Sequence, residues 1–189
     1  MRVPRARTRG RGKKFVTPEV MISQRPAEAA DRAVPGHWDG DLLIGKDCKS
    51  AVGTLVERTT RYVVLLHLPT GRDARLVEQA MRQAVGGLPG ELARTITWDQ
   101  GKEMAFHTDF TIATGIPVSC CDPHKPWQRG SNENTNRLLR QYLPKGTDLS
   151  VHSAADLARI ARSLNNRPRK TLGYVTPSER LTEFLAHTG

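Results

Sequence analysis

Three short segments rich in β-forming residues follow one another before the first helical pattern begins. They run from Trp38 to Ile44, from Ser50 to Glu57 and from Tyr62 to Leu68, and Val, Thr and Leu are frequent in the last two. Their hairpin-like spacing predicts an antiparallel meander. The folded part of the chain is therefore expected to start as a sheet that later helices cover.

The segments after the meander alternate between helical and strand patterns. Thr70 and Asp73 predict a capping box ahead of apolar residues at helical spacing, which continue to Gly86 and Gly87. The later predicted elements are strands at Thr95–Trp98 and Ile116–Ser119, helices at Ala105–Thr114 and from Ser131 onward, and a last helix capped by Ser153 and Asp156. This order predicts an α/β fold with a mixed sheet.

The formal charge of +10 is unevenly distributed along the 189 residues. Residues 1–14 hold seven Arg or Lys and no acid, whereas residues 15–123 hold 11 basic and 14 acidic residues. Residues 124–170 hold 10 basic and 3 acidic residues. Two positive blocks beside a slightly acidic body indicate a nucleic-acid partner. A solvated tail and an ordinary basic helix surface would give the same counts.

Composition also limits the class of protein. No run of about 18 apolar residues is present, so neither a membrane span nor a secretory signal is predicted, and a cytoplasmic protein is expected. The three cysteines form no C-x-x-C pair, which predicts reduced thiols. A zinc site at Cys120, Cys121 and His124 would lack an evident fourth ligand. Residues 1–36 are expected to be a basic, irregular arm, and residues 37–189 the folded domain.

Three acidic residues lie where strands and a helix could direct carboxylates into one pocket. Asp41 lies within the first predicted strand, Asp99 directly follows the fourth, and Glu133 is in the first turn of the helix after Ser131. Carboxylates can hold two hard cations about 3.5 to 4 Å apart, an arrangement that supports phosphodiester cleavage. Asp39 is a rival to Asp41, because residues two apart share a strand face. Three solvated or ion-paired acids remain the alternative.

The sequence blocks around these acids carry a family resemblance. They read WDGDLLIG, TITWDQGKEMA and DPHKPWQRGSNENTNRLLRQYLPKGTDLS, with 33 residues (100–132) between Asp99 and Glu133. In this order they closely resemble the catalytic domain of bacterial DDE transposases of the insertion-sequence 30 family, from about Arg25 to about Pro177. The resemblance implies a ribonuclease H-like fold, with three antiparallel strands first and helices on both faces of the sheet.

The same resemblance implies an activity, a cofactor and partners. Asp41, Asp99 and Glu133 would be catalytic and would bind two Mg²⁺ ions, for which Mn²⁺ can substitute. The implied activity is DNA transposition, in which cleavage of one strand frees a 3′-hydroxyl that attacks a second phosphodiester. Element ends and target DNA would be the partners of a homo-oligomer at the bacterial nucleoid. A ribonuclease H-like nuclease without strand transfer and an inactive DNA-binding remnant are the alternatives.

Family members carry a helix-turn-helix ahead of this domain, so the chain is expected to be the catalytic part without it. Basic, amide and aromatic side chains close to the third acid are predicted to contact DNA. They are Asn136, Arg137 and Arg140 on the glutamate helix, Lys125, Trp127 and Arg129 in the loop before it, and Arg167, Arg169 and Lys170 after the last helix.

Each group of predicted DNA contacts has a structural alternative. Arg137 could form an i,i+4 ion pair with Glu133, and Trp127 could close the edge of the sandwich. The basic segment at the end could simply cap the domain. The glutamate helix is predicted to bury Thr135, Leu138, Leu139 and Tyr142, with Glu133, Asn136, Arg137 and Arg140 on the opposite face.

Overall fold

The computed structural model describes residue 28 and residues 32–99, 101–121 and 130–188. The strands are β1 (His37–Ile44), β2 (Ala51–Glu57), β3 (Val63–Leu68), β4 (Thr95–Trp98) and β5 (Val118–Cys120). The α-helices are α1 (Ala74–Gly86), α2 (His107–Thr114), α3 (Gly130–Leu139), α4 (Ala154–Asn165) and α5 (Pro177–Thr188). Within these ranges, no helix is long and apolar enough to cross a membrane.

The five strands form one mixed sheet in the order β3-β2-β1-β4-β5. The first three strands pair antiparallel, whereas β4 runs parallel to β1 and β5 runs parallel to β4. The predicted meander and the predicted mixed sheet are confirmed. Because β1 lies at the centre, the strand that carries Asp41 pairs with β2 on one side and with β4 on the other.

Each face of the sheet is covered by its own helices, as predicted. On one face, Trp38, Ile96 and Trp98 pack with Val77 and Met81 of α1 and with Phe110 of α2. On the other face, the buried residues are Leu43, Val52, Leu139, Leu143, Leu149, Leu157, Ile160 and Leu164, most of which lie on or next to α3 and α4. Alternation along β1 sends Trp38 to the first core and Leu43 to the second.

The helix starts test the capping predictions. The box predicted for Ser153 and Asp156 is confirmed, because each residue's side chain accepts from the other's backbone N–H. The box predicted for Thr70 and Asp73 is wrong. Asp73 is itself the N-cap of α1, and its carboxylate accepts from the Arg75 N–H at 2.9 Å. An aspartate at this position satisfies an unpaired helix donor without help from Thr70.

Helix α5 is an element that the sequence analysis missed. The Thr176 N–H donates to the Glu179 carboxylate at 2.8 Å, and the Glu179 N–H donates to the Thr176 hydroxyl at 3.1 Å. Pro177 occupies the first helical position, where its missing N–H costs no hydrogen bond. The sequence TPSE therefore carried a complete start signal.

Asn165, at the end of α4, pairs with the edge strand β3. Its side-chain oxygen accepts from the Val63 N–H at 2.8 Å, and its side-chain nitrogen donates to the Val63 carbonyl at 2.9 Å. Both groups of Val63 face away from β2, so this amide takes the place of a neighbouring strand. The contact fixes α4 against the sheet, where its buried residues share a core with Leu139 of α3.

Candidate active site

Asp41 and Asp99 occupy matching positions on neighbouring parallel strands. The register between β1 and β4 pairs His37 with Thr95 and Asp39 with Thr97. Continued by two residues, the same register aligns Asp41 with Asp99, which directly follows β4. Because side chains alternate along a strand, both carboxylates belong to the face that α3 and α4 cover. Asp41 is half-buried and Asp99 is exposed.

Gly40 and Trp98 hold these two strand segments together on the opposite face. A Cβ atom built on Gly40 would lie 1.9 Å from Cε3 of Trp98, so only glycine fits under the indole ring. Trp98 and Trp38 are buried, as predicted. The contact shows that β1 and β4 stay side by side beyond the Asp39–Thr97 pair, as far as the residues that precede Asp41 and Asp99.

The Asp41 carboxylate is oriented by two hydrogen bonds. Oδ1 accepts from the Leu42 N–H at 2.9 Å, and Oδ2 accepts from Nδ2 of Asn136, on α3, at 2.9 Å. The Thr54 hydroxyl lies 3.3 Å from the Asp41 carbonyl oxygen and 3.4 Å from the Asn136 amide oxygen. Sequence reasoning assigned Asn136 to DNA, whereas the structure joins it to Asp41.

Asp39, the rival to Asp41, is occupied in a buried ion pair. The Arg58 guanidinium lies 2.6 Å from its Oδ1, and both side chains are almost completely buried. A buried carboxylate bound to arginine is poorly placed to hold a cation. This arrangement supports the choice of Asp41 as the candidate ligand.

Helix α3 brings Glu133 to the same region. Asn136 contacts Asp41, and Glu133 lies one turn earlier, on a neighbouring part of the helix surface. The Glu133 side chain is exposed, and the predicted alternative of an ion pair with Arg137 does not form. Arg137 donates instead to the Asn134 side chain at 2.9 Å.

The predicted faces of α3 were partly wrong. Thr135 and Leu139 are buried as expected, but Asn132 is also fully buried, and Asn136 turns toward the sheet. Tyr142, predicted to be inside, is 37% exposed and bonds to Ser163 at 3.0 Å through its hydroxyl. The prediction placed Tyr142 inside because it assigned the inner face of α3 from apolar residues alone. In the structure, asparagines occupy positions of α3 that face β1 and β2.

Residues 31–126 match the integrase core domain family. The chain belongs to the integrase core domain family. The matched stretch contains Asp41 and Asp99 and ends shortly before Glu133.

Relatives of this integrase core domain confirm the predicted kinship with insertion-sequence 30 transposases. The chain is 50% identical over 182 residues to the transposase for insertion sequence element IS1086 of Cupriavidus metallidurans, covering 96% of this chain and 53% of the relative. It is 46% identical over 167 residues to transposase InsI for insertion sequence element IS30C of Escherichia coli, covering 88% and 43%. The chain thus spans about half the length of these relatives.

Solved structures confirm the ribonuclease H-like fold. The catalytic core domain of BIV integrase superposes with a TM-score of 0.60 at 20% identity, over 81% of this chain and 97% of that one. A chain of the simian T-cell lymphotropic virus intasome, in complex with a PP2A regulatory subunit, gives a TM-score of 0.57 at 18% identity. That match covers 70% of this chain and 49% of the other.

The donor set of this integrase core domain suits a hard divalent cation. Asp41, Asp99 and Glu133 offer carboxylate oxygens, the ligands that Mg²⁺ and Mn²⁺ prefer. In the parts of the chain that the structure describes, no three His, Cys, Asp or Glu side chains lie close enough together to hold an ion. The chemistry of the three candidate side chains fits a hard divalent cation.

Cysteines lie beside the candidate site on β5. Burial, together with the negative charge of Asp99, raises the pKa of the Cys120 thiol to about 11. The effect on the Cys120 pKa shows that the Asp99 carboxylate lies near the end of β5. Cys121 is also buried, whereas Cys48 is exposed, and no disulfide joins them. His124, the third residue of the alternative zinc site, lies outside the described residues.

The predicted DNA contacts differ in their surroundings. Arg137, Arg167 and Lys170 are exposed. Arg140 donates to the carbonyls of Leu143 at 3.2 Å and Ile44 at 3.3 Å, and burial lowers its pKa. Lys125, Trp127 and Arg129 lie outside the described residues.

Arg169 is the most enclosed member of the basic segment after α4. It donates to the Leu164 carbonyl at 3.2 Å, and burial, followed by the nearby charge of Arg167, lowers its pKa. Arg140 and Arg169 thus both brace the fold, and their contacts with DNA stay predictions.

Proposed function

We propose that this chain is the catalytic core of a transposase that cuts and joins DNA strands, with Asp41, Asp99 and Glu133 as its catalytic residues. The single observation that carries the proposal is the parallel pairing of β1 with β4, whose continued register aligns the two aspartates. Kinship with insertion-sequence transposases supports DNA transposition as the reaction. Asp99 and Glu133 are both exposed, so a large substrate can approach their side chains.

Asp41, Asp99 and Glu133 are the residues that would hold two Mg²⁺ or Mn²⁺ ions. When bound, such ions activate an oxygen nucleophile and stabilise charge on the attacking and leaving oxygens. Asn136 and the Leu42 N–H fix the direction of the Asp41 carboxylate, so this ligand needs little reorganisation. Glu133, one turn before Asn136 on α3, would supply the third carboxylate.

The reaction has two steps at phosphorus. Water cleaves one phosphodiester and leaves a free 3′-hydroxyl on the element end. This hydroxyl then attacks a phosphodiester of the target, so one P–O bond forms as another breaks and the target's 3′ oxygen departs. The exposed Arg137, one turn beyond Glu133, is placed to bind phosphate on the incoming strand.

The proposal extends to the assembly and its setting. Residues 37–189 form the catalytic unit, and residues 1–36 form a basic arm that adds affinity for DNA. Two element ends require two active sites, so the working complex is a homo-oligomer. The partners are element ends and target DNA, at the nucleoid in the bacterial cytoplasm.

The test uses supercoiled plasmid with Mg²⁺ or Mn²⁺. The chain nicks the plasmid only with the metal, and Asp41→Asn, Asp99→Asn and Glu133→Gln each lower the rate by about 100-fold or more, because each removes a charged ligand. Asp109→Asn is the matched control, since Asp109 is an exposed helical acid paired with Arg75. Joined plasmid products distinguish strand transfer from simple hydrolysis.

Three results would contradict the proposal. Metal-independent cleavage would remove the role of the carboxylates, and full activity in the three variants would place the chemistry elsewhere. Nicking without any joined product, from substrate that presents a free 3′-hydroxyl, would favour a nuclease over a transposase.

A further inference from the structure

The segment from Arg167 to Val175 forms a loop that is closed by its own backbone. The Arg169 N–H donates to the Val175 carbonyl at 3.1 Å, and the Tyr174 N–H donates to the Arg169 carbonyl at 2.9 Å. Leu172, within the loop, is buried. These contacts give the side chains of the loop fixed positions relative to α4.

Tyr174 directs its ring into solvent from this loop. The side chain is 70% exposed, although tyrosine in a folded domain normally covers much of its ring. Its backbone is left-handed, with φ of 68°, directly after Gly173 at 65°. The closed loop therefore presents a large aromatic surface that no described part of the chain covers.

Basic residues predominate in the part of the chain that leads up to Tyr174. Between residues 134 and 174 the chain holds eight Arg or Lys and two acids, Asp148 and Asp156. Both acids are hydrogen-bonded locally, to Ser150 and Ser153 respectively. Arg167 and Lys170, close to Tyr174 in the loop, are exposed. The local charge favours a polyanion.

A contact links this loop to the turn that directly follows α3, the helix that carries Glu133. Nη1 of Arg167 lies 3.5 Å from Oε1 of Gln141, which is eight residues after Glu133 and four after Arg137. α3 ends at Leu139, six residues after Glu133, which at about 1.5 Å per helical residue is about 9 Å. A DNA strand rises about 3.4 Å per nucleotide, so the end of α3 lies about three nucleotides from Glu133.

We propose that Tyr174 stacks on an unpaired base of a DNA strand whose phosphates contact Arg137, Arg167 and Lys170. The inference rests on the proposed function, because it assumes that the DNA strand runs from the candidate catalytic carboxylates toward this loop. Cations beside an aromatic ring form the usual surface for single-stranded nucleic acid, where the backbone binds the charges and a base covers the ring. Stacking of this kind tolerates any base sequence.

The experiment measures binding without metal, so that it does not depend on catalysis. Fluorescence anisotropy compares a duplex bearing a 3′ single-stranded tail longer than four nucleotides with the blunt duplex. Tyr174→Asn removes the ring, and asparagine accepts the left-handed backbone conformation of this position. We expect it to weaken binding of the tailed duplex by about 5- to 150-fold and that of the blunt duplex much less.

Two further variants serve as controls for the ring. Tyr174→Phe keeps the aromatic face and should bind like the unchanged chain. Ile112→Ala removes an exposed apolar side chain on α2, which is 79% exposed, and should leave binding unchanged. Melting temperatures of all variants check that each one is folded.

Salt dependence separates the ring from the charges. Double substitution of Arg167 and Lys170 with Ala should reduce the slope of log affinity against log salt by about 1.4 for the single strand, at about 0.7 per phosphate contact. Tyr174→Asn should lower the affinity at every salt concentration and leave the slope unchanged.

Equal affinity of Tyr174→Asn and the unchanged chain for the tailed duplex would overturn the inference. So would an equal loss on the blunt duplex, or a lower oligomeric mass of the variant in sedimentation, which would assign the ring to a second copy of the chain. These outcomes leave the proposed function standing, because metal-dependent nicking and its loss in Asp99→Asn are measured separately.

Discussion

At the scale of single residues, Asn136 connects the helix of the candidate site with the strand. Its amide holds Oδ2 of Asp41 at 2.9 Å, so Asn136→Ala should weaken the orientation of that carboxylate while the Leu42 N–H still holds Oδ1. We expect Mn²⁺ affinity, measured by calorimetry, to fall by about 10- to 100-fold, as is usual when a partner of a metal ligand is removed.

Asn134→Ala is the control for Asn136, because Asn134 lies on the same helix and bonds only to Arg137 among the described residues. It should bind Mn²⁺ like the unchanged chain. Unaltered Mn²⁺ affinity in Asn136→Ala would show that the hydrogen bond does not position Asp41.

Asp39 and Asp41 should respond in opposite ways to substitution. Asp39→Ala leaves Arg58 buried without its carboxylate, which should lower the free energy of unfolding by about 3–5 kcal/mol. Asp41→Ala removes a half-buried carboxylate and should cost about 1 kcal/mol. Urea denaturation measures both, and a smaller loss for Asp39→Ala than for Asp41→Ala would contradict the assignment.

Sequence alone placed both aspartates on one strand face, but it could not separate them by burial. What separates them is Arg58, which follows β2 and reaches Asp39 across the sheet. Nor could the sequence show that Asn136 serves Asp41, since that contact joins residues 95 positions apart. Strand periodicity is a local property, whereas ion pairs and amide contacts depend on tertiary packing.

At the scale of secondary structure elements, the β1–β4 pair depends on Gly40. A methyl group there would overlap the Trp98 ring, so Gly40→Ala should lower the free energy of unfolding by about 1–3 kcal/mol and displace β4 relative to β1. Metal-dependent nicking should fall with it, because Asp99 follows Trp98 directly. Denaturation and plasmid nicking measure the two effects.

Gly86→Ala provides the matched control for Gly40. No heavy atom lies within 4 Å of a Cβ at this position, at the end of α1. The substitution should be neutral or stabilise the fold by up to about 1 kcal/mol, because alanine favours helix. A loss of stability as large as that of Gly40→Ala would show that the Trp98 contact is not the cause.

Elements with a strong local signal were predicted well. The bounds of β4 were correct, since Thr95–Trp98 is a short β-rich segment between breakers. Helix α5 was missed although Thr176, Pro177 and Glu179 mark its start, because its apolar residues are few. The start of α1 was misplaced by three residues because Thr70 and Asp73 both suit an N-cap, and only the backbone conformation distinguishes them.

At the scale of the whole molecule, the thiols report on the integrity of the fold. Cys48 is exposed, while Cys120 and Cys121 are buried. A thiol reagent at pH 8 should modify one cysteine quickly and the other two only after denaturant is added. Rapid reaction of all three thiols in the native protein would contradict the buried position of β5.

The same thiols predict a response to alkaline pH. Burial raises the pKa of Cys120 from 9.0 to about 11, so between these values the unfolded chain releases a proton that the folded chain retains. The stability contribution is complete below pH 9 and is lost as the pH rises to about 11. Cys120→Ala should therefore show a smaller drop in melting temperature from pH 8 to pH 10 than the unchanged chain does.

The amide of Asn165 has a consequence for how copies of this domain can associate. An open strand edge invites pairing with the same edge of another molecule, which leads to aggregation. By satisfying both backbone groups of Val63, Asn165 interrupts that row of free donors and acceptors at one end of β3. Any association of copies is thereby directed toward contacts made by helices and loops, and a continuous sheet between subunits is disfavoured.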